Sequence, residues 1–186
     1  MAANEDQIKF WNEQGGRNWV ELQTRMDRNL SRIHAAILAR AAPQPGETVL
    51  DVGCGTGTTS LALADAVGPS GRVTGLDVSQ PMLTLAKSRG MGRANLVFEL
   101  ADASAHVFTT QYDLLFSRFG VMFFDDPIGA FANLHRAVKP GGRLAFACWR
   151  TLAENPWASA PLAAAKPFLP PLPAPDPDAP GPFAFA

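Results

Sequence analysis

Cysteine is scarce in this sequence, and long apolar runs are absent from it. The two cysteines, Cys54 and Cys148, lie far apart and form neither a CxxC pair nor a cluster of metal ligands. We therefore expect no disulfide framework, no metal site, and a reducing compartment inside the cell. No apolar stretch approaches the roughly 20 residues that a membrane span requires, and the amino-terminal MAANEDQIKFWNE is too acidic and polar for a secretory signal. These absences predict a cytoplasmic protein with no integral membrane segment.

An excess of charge of one sign is lacking too. The 186 residues carry 16 Lys and Arg against 17 Asp and Glu, which gives a formal net charge of −1. Because no strong basic field is present to attract DNA or RNA, we expect no nucleic-acid partner. The length suits one well-buried domain and is short for two, and a hydrophobic fraction of 47% is typical of a globular protein.

The apolar residues change their spacing along the chain. Between residues 17 and 40 they recur every three or four positions, which predicts a helix that ends before Pro43. Short apolar runs follow at 48–52, 72–78, 95–100, 112–117 and 143–149, with helical stretches near 58–66, 81–89 and 127–138 between them. Such runs suit strands that are covered on both faces, as in a parallel sheet. The alternation predicts an α/β doubly wound domain, in which KPGGR at 139–143 turns the chain into the fifth strand.

The last part of the chain is rich in proline. From Pro156 onward it holds 10 of the 16 prolines. Proline at this density interrupts helices and strand pairing, so we expect most of the segment to be extended or irregular, although residues 157–168 are compatible with a short helix. We interpret the segment as a surface connector that leads to a missing part of a truncated protein.

Three glycines at alternate positions follow the first predicted strand, in the sequence ETVLDVGCGTGTT. Gly53, Gly55 and Gly57 remove Cβ atoms where a ligand approaches the backbone, and the helix that follows offers unpaired N–H groups. In an open parallel sheet, ligands bind beyond the carboxyl ends of the strands, where this loop lies. A dinucleotide-binding G-x-G-x-x-G loop would have its third glycine at position 58, which is Thr58. The loop predicts an adenosine-containing cofactor, either NAD or S-adenosylmethionine (SAM).

Carboxylates follow the second and third predicted strands. Asp77, in GLDVS, is placed to accept hydrogen bonds from the ribose hydroxyls that NAD and SAM share. Its alternative role is to cap the next helix, but Ser79, two residues before Pro81, is the better cap, so we expect Asp77 to be free for a ligand. After the third strand, Asp102 and the N–H of Ala103 are expected to contact an adenine edge, the alternative being a plain loop aspartate.

Five ordered motifs carry a family resemblance. VLDVGCGTG, VTGLDVSQPML, ADA, YDLLFSRFGVMFFDDP and LHRAVKPGGRLAFACW follow one another between residues 45 and 150. Together they resemble a class I SAM-dependent methyltransferase, of the small-molecule group that is similar to ubiquinone and menaquinone biosynthesis enzymes. The resemblance implies a Rossmann-like, mostly parallel sheet in the strand order 3-2-1-4-5. It also implies a helical lid or arm over residues 1–44, a SAM-binding core over 45–150 and a Pro-rich segment over 151–186.

That family's fold normally continues with another helix and an antiparallel strand pair, and this sequence lacks the corresponding pattern. The fifth strand would then present an exposed edge. Because an unpaired apolar edge invites pairing with another chain, self-association through this strand is possible.

The resemblance implies a set of ligand-binding residues, with S-adenosylhomocysteine (SAH) as the product of the cofactor. They are Asp51, Gly53, Cys54 and Gly55 near the methionine part and ribose, Asp77 at the ribose hydroxyls, Val78 and Met82 beside the adenine, Asp102 and Ala103 at its edge, and Ser117 at the amino end of the cofactor. The expected substrate contacts are Arg118, Phe119, Trp11 and Trp19, with packing in the core as the alternative role of Trp19 on the apolar helix face.

Other charged residues are less informative. We expect Arg25, Arg28 and Arg32 to form a solvated helix face, the alternative being that one of them holds a ligand carboxylate. No catalytic residue is identified, and among the histidines His106 is the least implausible general base.

The function that the resemblance implies is transfer of a methyl group from SAM to a small-molecule acceptor. Such a displacement relies largely on alignment, so the absence of an evident catalytic dyad does not argue against an enzyme. The fourth strand ends in SRFG, unlike the Asn/Asp-Pro-Pro-Tyr-like sequence of enzymes that methylate amino groups of DNA bases. We therefore favour O- or C-methylation over N-methylation. The alternatives are a catalytically inactive SAM-binding or scaffold protein and an NAD-dependent oxidoreductase.

Overall fold

The amino-terminal arm consists of three helices. The computed structural model describes residues 4–170 and 179–186. It places α1 at Glu5–Asn12, α2 at Gln14–Glu21 and α3 at Gln23–Ala41. The single helix predicted over 17–40 is therefore wrong in its first part, because the helix is interrupted at Leu22 and the residues before it belong to α2. The break lets α2 pack against the helix that follows the second strand while α3 packs against the fourth and fifth strands.

A parallel sheet forms the centre of the protein. Its strands are β1 Thr48–Val52, β2 Arg72–Asp77, β3 Leu96–Leu100, β4 Tyr112–Arg118 and β5 Val138–Ala147. Within the described residues the order is β3-β2-β1-β4-β5, and every pairing is parallel, which confirms the predicted topology. The strand order reverses between β1 and β4, so a crevice for a ligand is expected at their carboxyl ends.

Helices cover both faces of the sheet, at α4 Thr58–Val67, α5 Gln80–Arg89 and α6 Pro127–Arg136. Neighbouring residues of β1 point to opposite faces, as strand geometry requires. Val49 packs into a core with residues of α3 and α4, whereas Leu50 packs into a core with residues of α6, and both side chains are fully buried. The domain is doubly wound, as the continuous apolar runs predicted.

The start of β5 differs from the prediction. KPGGR was expected to be a turn before a strand over 143–149, but the strand already begins at Val138. Val138 pairs with Tyr112 and Arg143 pairs with Leu114, so residues 139–142 bulge out opposite a single residue of β4. The glycine pair lies in this bulge, which accounts for the turn-like composition of a segment that is nevertheless part of the strand.

The proline-rich segment contains a helix and lies partly outside the described residues. α7 spans Pro156–Ala165 and a 3-10 turn follows at Lys166–Phe168, close to the helix that was considered for 157–168. Residues 171–178, on which much of the connector prediction falls, lie outside the described part. No helix in the part of the chain that the structure describes is long and apolar enough to cross a membrane. Leu144 and Phe146 of β5 are partly exposed, and self-association there stays a prediction.

Candidate functional site

A cavity of about 890 Å³ opens at the carboxyl ends of the strands. Its walls include residues 52–56 after β1, 76–78 at the end of β2, 101–103 after β3 and 118–120 at the end of β4. The helical arm and the end of β5 close its other side. The cavity therefore lies where the strand order predicts a ligand site.

Most of the predicted site residues meet in this cavity. Its lining includes Gly53, Cys54, Gly55, Asp77, Val78, Met82, Asp102, Ala103, Arg118, Phe119, Trp11 and Trp19. Asp51 and Ser117 are buried next to the lining residues and are not part of it. Ser117 instead braces two loops, because its hydroxyl donates to the carbonyl of Val52 at 2.8 Å and accepts from the N–H of Gly120 at 3.2 Å.

The glycine loop depends on backbone conformations that favour glycine. Gly53, Gly55 and Gly57 all have positive φ, at +68°, +56° and +85°. A Cβ on Gly53 would lie 2.6 Å from the Cα of Gly120, so the loops after β1 and β4 touch backbone to backbone. The N–H of Gly53 donates to the carbonyl of Leu76 at 2.8 Å, which fixes the loop to β2. The turn is thus held against β2 and the loop after β4, and it presents bare backbone to the cavity.

Asp77 is not free, in contrast to the expectation from the sequence. One carboxylate oxygen accepts from the N–H of Gly55 at 2.7 Å, and the other accepts from the N–H of Ser79 at 2.9 Å. Ser79 caps α5 as predicted, with Oγ accepting from the N–H of Met82. Burial raises the pKa of Asp77, although the two backbone bonds oppose the shift. Asp77 therefore anchors the glycine loop in addition to lining the cavity.

Asp102 is also held by the backbone, since its side chain accepts from the N–H of Ser104 at 2.9 Å. The carbonyl of Ala103 accepts from the side-chain amide of Asn133 in α6 at 3.0 Å. These contacts fix the loop after β3 at the cavity wall, where both Asp102 and Ala103 are found.

Asp51 is a fully buried carboxylate beneath the glycine loop. One oxygen accepts from the hydroxyls of Thr59 and Ser60, both at 2.6 Å, and the other has no hydrogen-bond partner among the described residues. Burial raises its pKa to about 6. The carboxylate ties β1 to the start of α4 and carries an unsatisfied acceptor.

Replacing Asp51 with asparagine is expected to raise the free energy of unfolding of the unliganded protein at pH 7 by about 1–3 kcal/mol. A raised pKa means that the folded state favours the protonated form. Its contribution to stability is complete below pH 3.8 and is lost as the pH rises through about 6. Asparagine stays neutral and keeps an oxygen for Thr59 and Ser60. Urea unfolding between pH 4 and 7 tests this, and an equal pH dependence in both proteins would contradict it.

Polar contacts latch the arm onto the loop that follows Asp77. The side-chain amide of Asn12 donates to the carbonyl of Val78 at 2.8 Å and accepts from the N–H of Gln80 at 2.9 Å. The hydroxyl of Ser79 donates to the carbonyl of Trp11 at 2.6 Å. Because these bonds satisfy backbone groups beside the cavity, the arm is a fixed wall of the site.

A second polar cluster joins α3 to the glycine loop. Asp27 accepts from the hydroxyl of Thr58 at 2.7 Å and forms an ion pair with Arg89 at 3.2 Å. Arg89 also donates to the carbonyl of Thr56 at 2.7 Å. Thr58, the residue that breaks the dinucleotide pattern, is therefore engaged with the arm.

Aromatic side chains form another part of the cavity wall. Trp11 packs edge-on against Phe123 at 5.1 Å and against Trp19 at 6.2 Å between ring centroids. Phe119 stacks on Trp149 at 4.4 Å, and its backbone has a left-handed φ of +69°, which is strained for a bulky residue. Sequence reasoning missed Phe123, Trp149 and Trp157 as lining residues. Tryptophan and phenylalanine after a strand or in the arm do not by themselves distinguish core packing from a cavity wall.

The other charged candidates lie elsewhere. His34, His106 and His135 do not line the cavity, and the ring of His106 packs against Phe108 at 4.8 Å. Arg25, Arg28 and Arg32 of α3 are exposed, as expected for a solvated helix face. Among the described residues, Arg118 is the cation in the cavity wall, and no cluster of three or more potential metal ligands is present.

Comparison with known proteins gives consistent relatives. A demethylmenaquinone methyltransferase from Oceanobacillus iheyensis is 36% identical over 110 residues, which cover 58% of this chain and 46% of that protein. Aklanonic acid methyltransferase DauC from Streptomyces sp. strain C5 is 34% identical over 130 residues, which cover 68% and 56%. The chain thus spans about half the length of the curated relatives it matches.

Solved structures share the fold. The crystal structure of a SAM-dependent methyltransferase from Aquifex aeolicus is 26% identical with a TM-score of 0.57, covering 63% of this chain and 64% of that one. The DhpI–SAM–HEP complex is 20% identical with a TM-score of 0.65, covering 84% and 70%, and at this identity it shows the fold alone. The family described as "Methyltransferase domain" matches residues 49–142, which is half of the chain. The chain therefore belongs to the methyltransferase-domain family.

Proposed function

We propose that this chain binds SAM in the cavity and transfers its methyl group to a small-molecule acceptor. The observation that carries the proposal is the meeting of the glycine loop, Asp77 and Asp102 in one cavity at the switch point of the sheet. Membership of the methyltransferase-domain family supports it, as do relatives that are named methyltransferases. Residues 45–150 would form the cofactor-binding core, and the amino-terminal arm would cover it.

The polar part of the cavity suits an adenosine. Each oxygen of Asp77 accepts one backbone hydrogen bond and retains capacity for another, because a carboxylate oxygen offers two lone pairs. The 2′- and 3′-hydroxyls of a ribose would supply the additional donors. Val78 and Met82 line the wall where an adenine ring would pack, and Asp102 and Ala103 are placed to contact its edge.

The aromatic part of the cavity suits the acceptor. Trp11, Trp19 and Phe119 offer large apolar surfaces, which favour a flat or apolar molecule. The relatives are named for demethylmenaquinone and aklanonic acid, which supports a small-molecule acceptor. We favour O- or C-methylation, in keeping with the SRFG sequence at the end of β4.

The chemistry would rely on alignment. When bound, SAM supplies an electrophilic methyl group, and the acceptor supplies the nucleophile for an in-line displacement. The hydrogen bonds of the glycine loop to β2 and of the arm to the loop after β2 would hold these walls in place around the two reactants, which is the contribution that alignment requires. No histidine among the described residues reaches the cavity wall, so the acceptor would react through an already acidic or activated atom.

Calorimetric titration of the chain with SAM, SAH and NAD tests the proposal. We expect micromolar binding of SAM and SAH and none of NAD, because Thr58 replaces the third glycine of the dinucleotide pattern and is bonded to Asp27. Binding of NAD alone would replace the proposal with the oxidoreductase alternative. Binding of SAM without methyl transfer to any member of an aromatic acceptor panel would favour the non-catalytic alternative.

A further inference from the structure

We propose that Arg118 is the carboxylate-binding residue of the cavity, and that the carboxylate belongs to the amino-acid end of the bound cofactor. The inference rests on the proposed function and deepens it by naming the side chain that would recognise this end. It goes beyond the resemblance from the sequence, which placed Arg118 on the substrate side.

Arg118 is a mostly buried cation without a partner. Its guanidinium makes no hydrogen bond and no ion pair within the described residues, and Nη1 is shielded from solvent. Four other arginines in the described part form ion pairs, among them Arg89 with Asp27, Arg143 with Glu47 and Arg150 with Glu154. A buried charge is costly unless an opposite charge or hydrogen bonds compensate it. The wall of the cavity therefore holds a cation that lacks its anion.

The carboxylates near Arg118 are bonded to other groups. The negative charges of Asp51 and Asp27 act to raise the pKa of Arg118. Asp27 is bonded to Thr58 and Arg89, and Asp51 accepts from two hydroxyls of α4 without reaching ion-pair distance of Arg118. Burial lowers the pKa of Arg118, but an arginine remains protonated at neutral pH. A ligand carboxylate at the cavity wall would give Arg118 the direct ion pair that these two aspartates do not form.

The position of Arg118 points to the cofactor. Asp51 of β1 pairs with Phe116 of β4, so Arg118, two residues further along, stands beside the start of the glycine loop. Helix α4 begins nearby at Thr58, and its N-terminus has no side-chain cap, so its positive end favours an anion as well. The planar guanidinium matches a carboxylate in a bidentate contact. SAM carries such a carboxylate at the end that would lie near Asp51.

Calorimetry with two ligands tests the assignment. SAH contains the carboxylate, whereas 5′-methylthioadenosine lacks the amino-acid end and keeps the adenosine. We expect Arg118→Gln to weaken SAH binding by about 10- to 100-fold and to leave methylthioadenosine binding unchanged. Arg118→Lys keeps the positive charge but loses the planar guanidinium, so its affinity for SAH should lie between those of the unmodified chain and Arg118→Gln. This variant also provides a second test if the glutamine variant misfolds. Arg25→Gln, on the exposed face of α3, is the control and should change neither affinity.

A second arm distinguishes an acceptor carboxylate from that of the cofactor. In the SAH complex, binding of 1-naphthoate is compared with that of its neutral carboxamide by tryptophan fluorescence. If Arg118→Gln loses binding of naphthoate but keeps its affinity for SAH, Arg118 still binds a carboxylate, but that carboxylate belongs to the acceptor and not to the cofactor. Unchanged affinities for SAH and naphthoate would overturn the assignment while leaving the proposed function standing. Failure of the unmodified chain to bind SAH would overturn both.

Discussion

Replacing Asp77 with alanine is expected to weaken SAM binding by about 1.5–3 kcal/mol, or roughly 10- to 150-fold in Kd. The carboxylate would accept both ribose hydroxyls, and hydrogen bonds to a charged acceptor are stronger than neutral ones. The same carboxylate holds the N–H groups of Gly55 and Ser79, so its removal also loosens the glycine loop. Calorimetric titration with SAM measures the combined effect.

Two variants separate the direct contact from the loss of the loop anchor. Asp77→Asn keeps one acceptor oxygen and should bind SAM with intermediate affinity. Asp113→Ala, which removes an ion pair with Lys139 on the β4–β5 side, is the control and should leave binding unchanged. A 2′-deoxy form of SAH should bind the unmodified chain more weakly than SAH, but the alanine variant should not distinguish the two. Equal discrimination by both proteins would refute the ribose assignment.

The topology was predictable because burial on both faces of the sheet requires apolar residues along the whole length of each strand. Adjacent residues such as Val49 and Leu50 serve opposite cores, so the strands read as continuous apolar runs. The start of β5 was not predictable from the same signal. Residues 139–142 have the composition of a turn, and only the pairing of Val138 with Tyr112 shows that the strand continues through the bulge.

The site divides in a similar way. The glycine loop, Asp77 and Asp102 each follow a strand, so the local sequence and the rule for parallel sheets were enough to bring them together. The bonds of Asp77 to Gly55 and of Asn12 to Val78 join segments that are 22 and 66 residues apart. Individual polar contacts between distant segments repeat with no period, so the sequence gives no signal for them. The unpaired state of Arg118 is likewise a property of its three-dimensional neighbours.

Replacing Gly53 with alanine is expected to lower the free energy of unfolding by about 2–5 kcal/mol. Part of the cost, about 1–2 kcal/mol, is the left-handed φ of +68°, which a Cβ disfavours. The remainder arises because that Cβ would lie 2.6 Å from the Cα of Gly120, a backbone atom that no rotamer change can move away. Urea unfolding measures the loss, and SAM affinity should fall with it because the loop would shift.

Gly92 provides a control, since its φ of +84° is also positive and a Cβ there would meet nothing within 4 Å. Gly92→Ala should therefore show the cost of a positive φ without a steric clash. A Cβ on Gly120 would lie 2.8 Å from the Cα of Gly53, so Gly120→Ala strains the same contact from the other side. The double variant of Gly53 and Gly120 should then cost less than the sum of the single changes, because one displacement of the two loops relieves both clashes. If Gly53→Ala costs no more than Gly92→Ala, the contact between the two loops does not set the shape of the cavity, and the glycine pattern reflects backbone conformation alone.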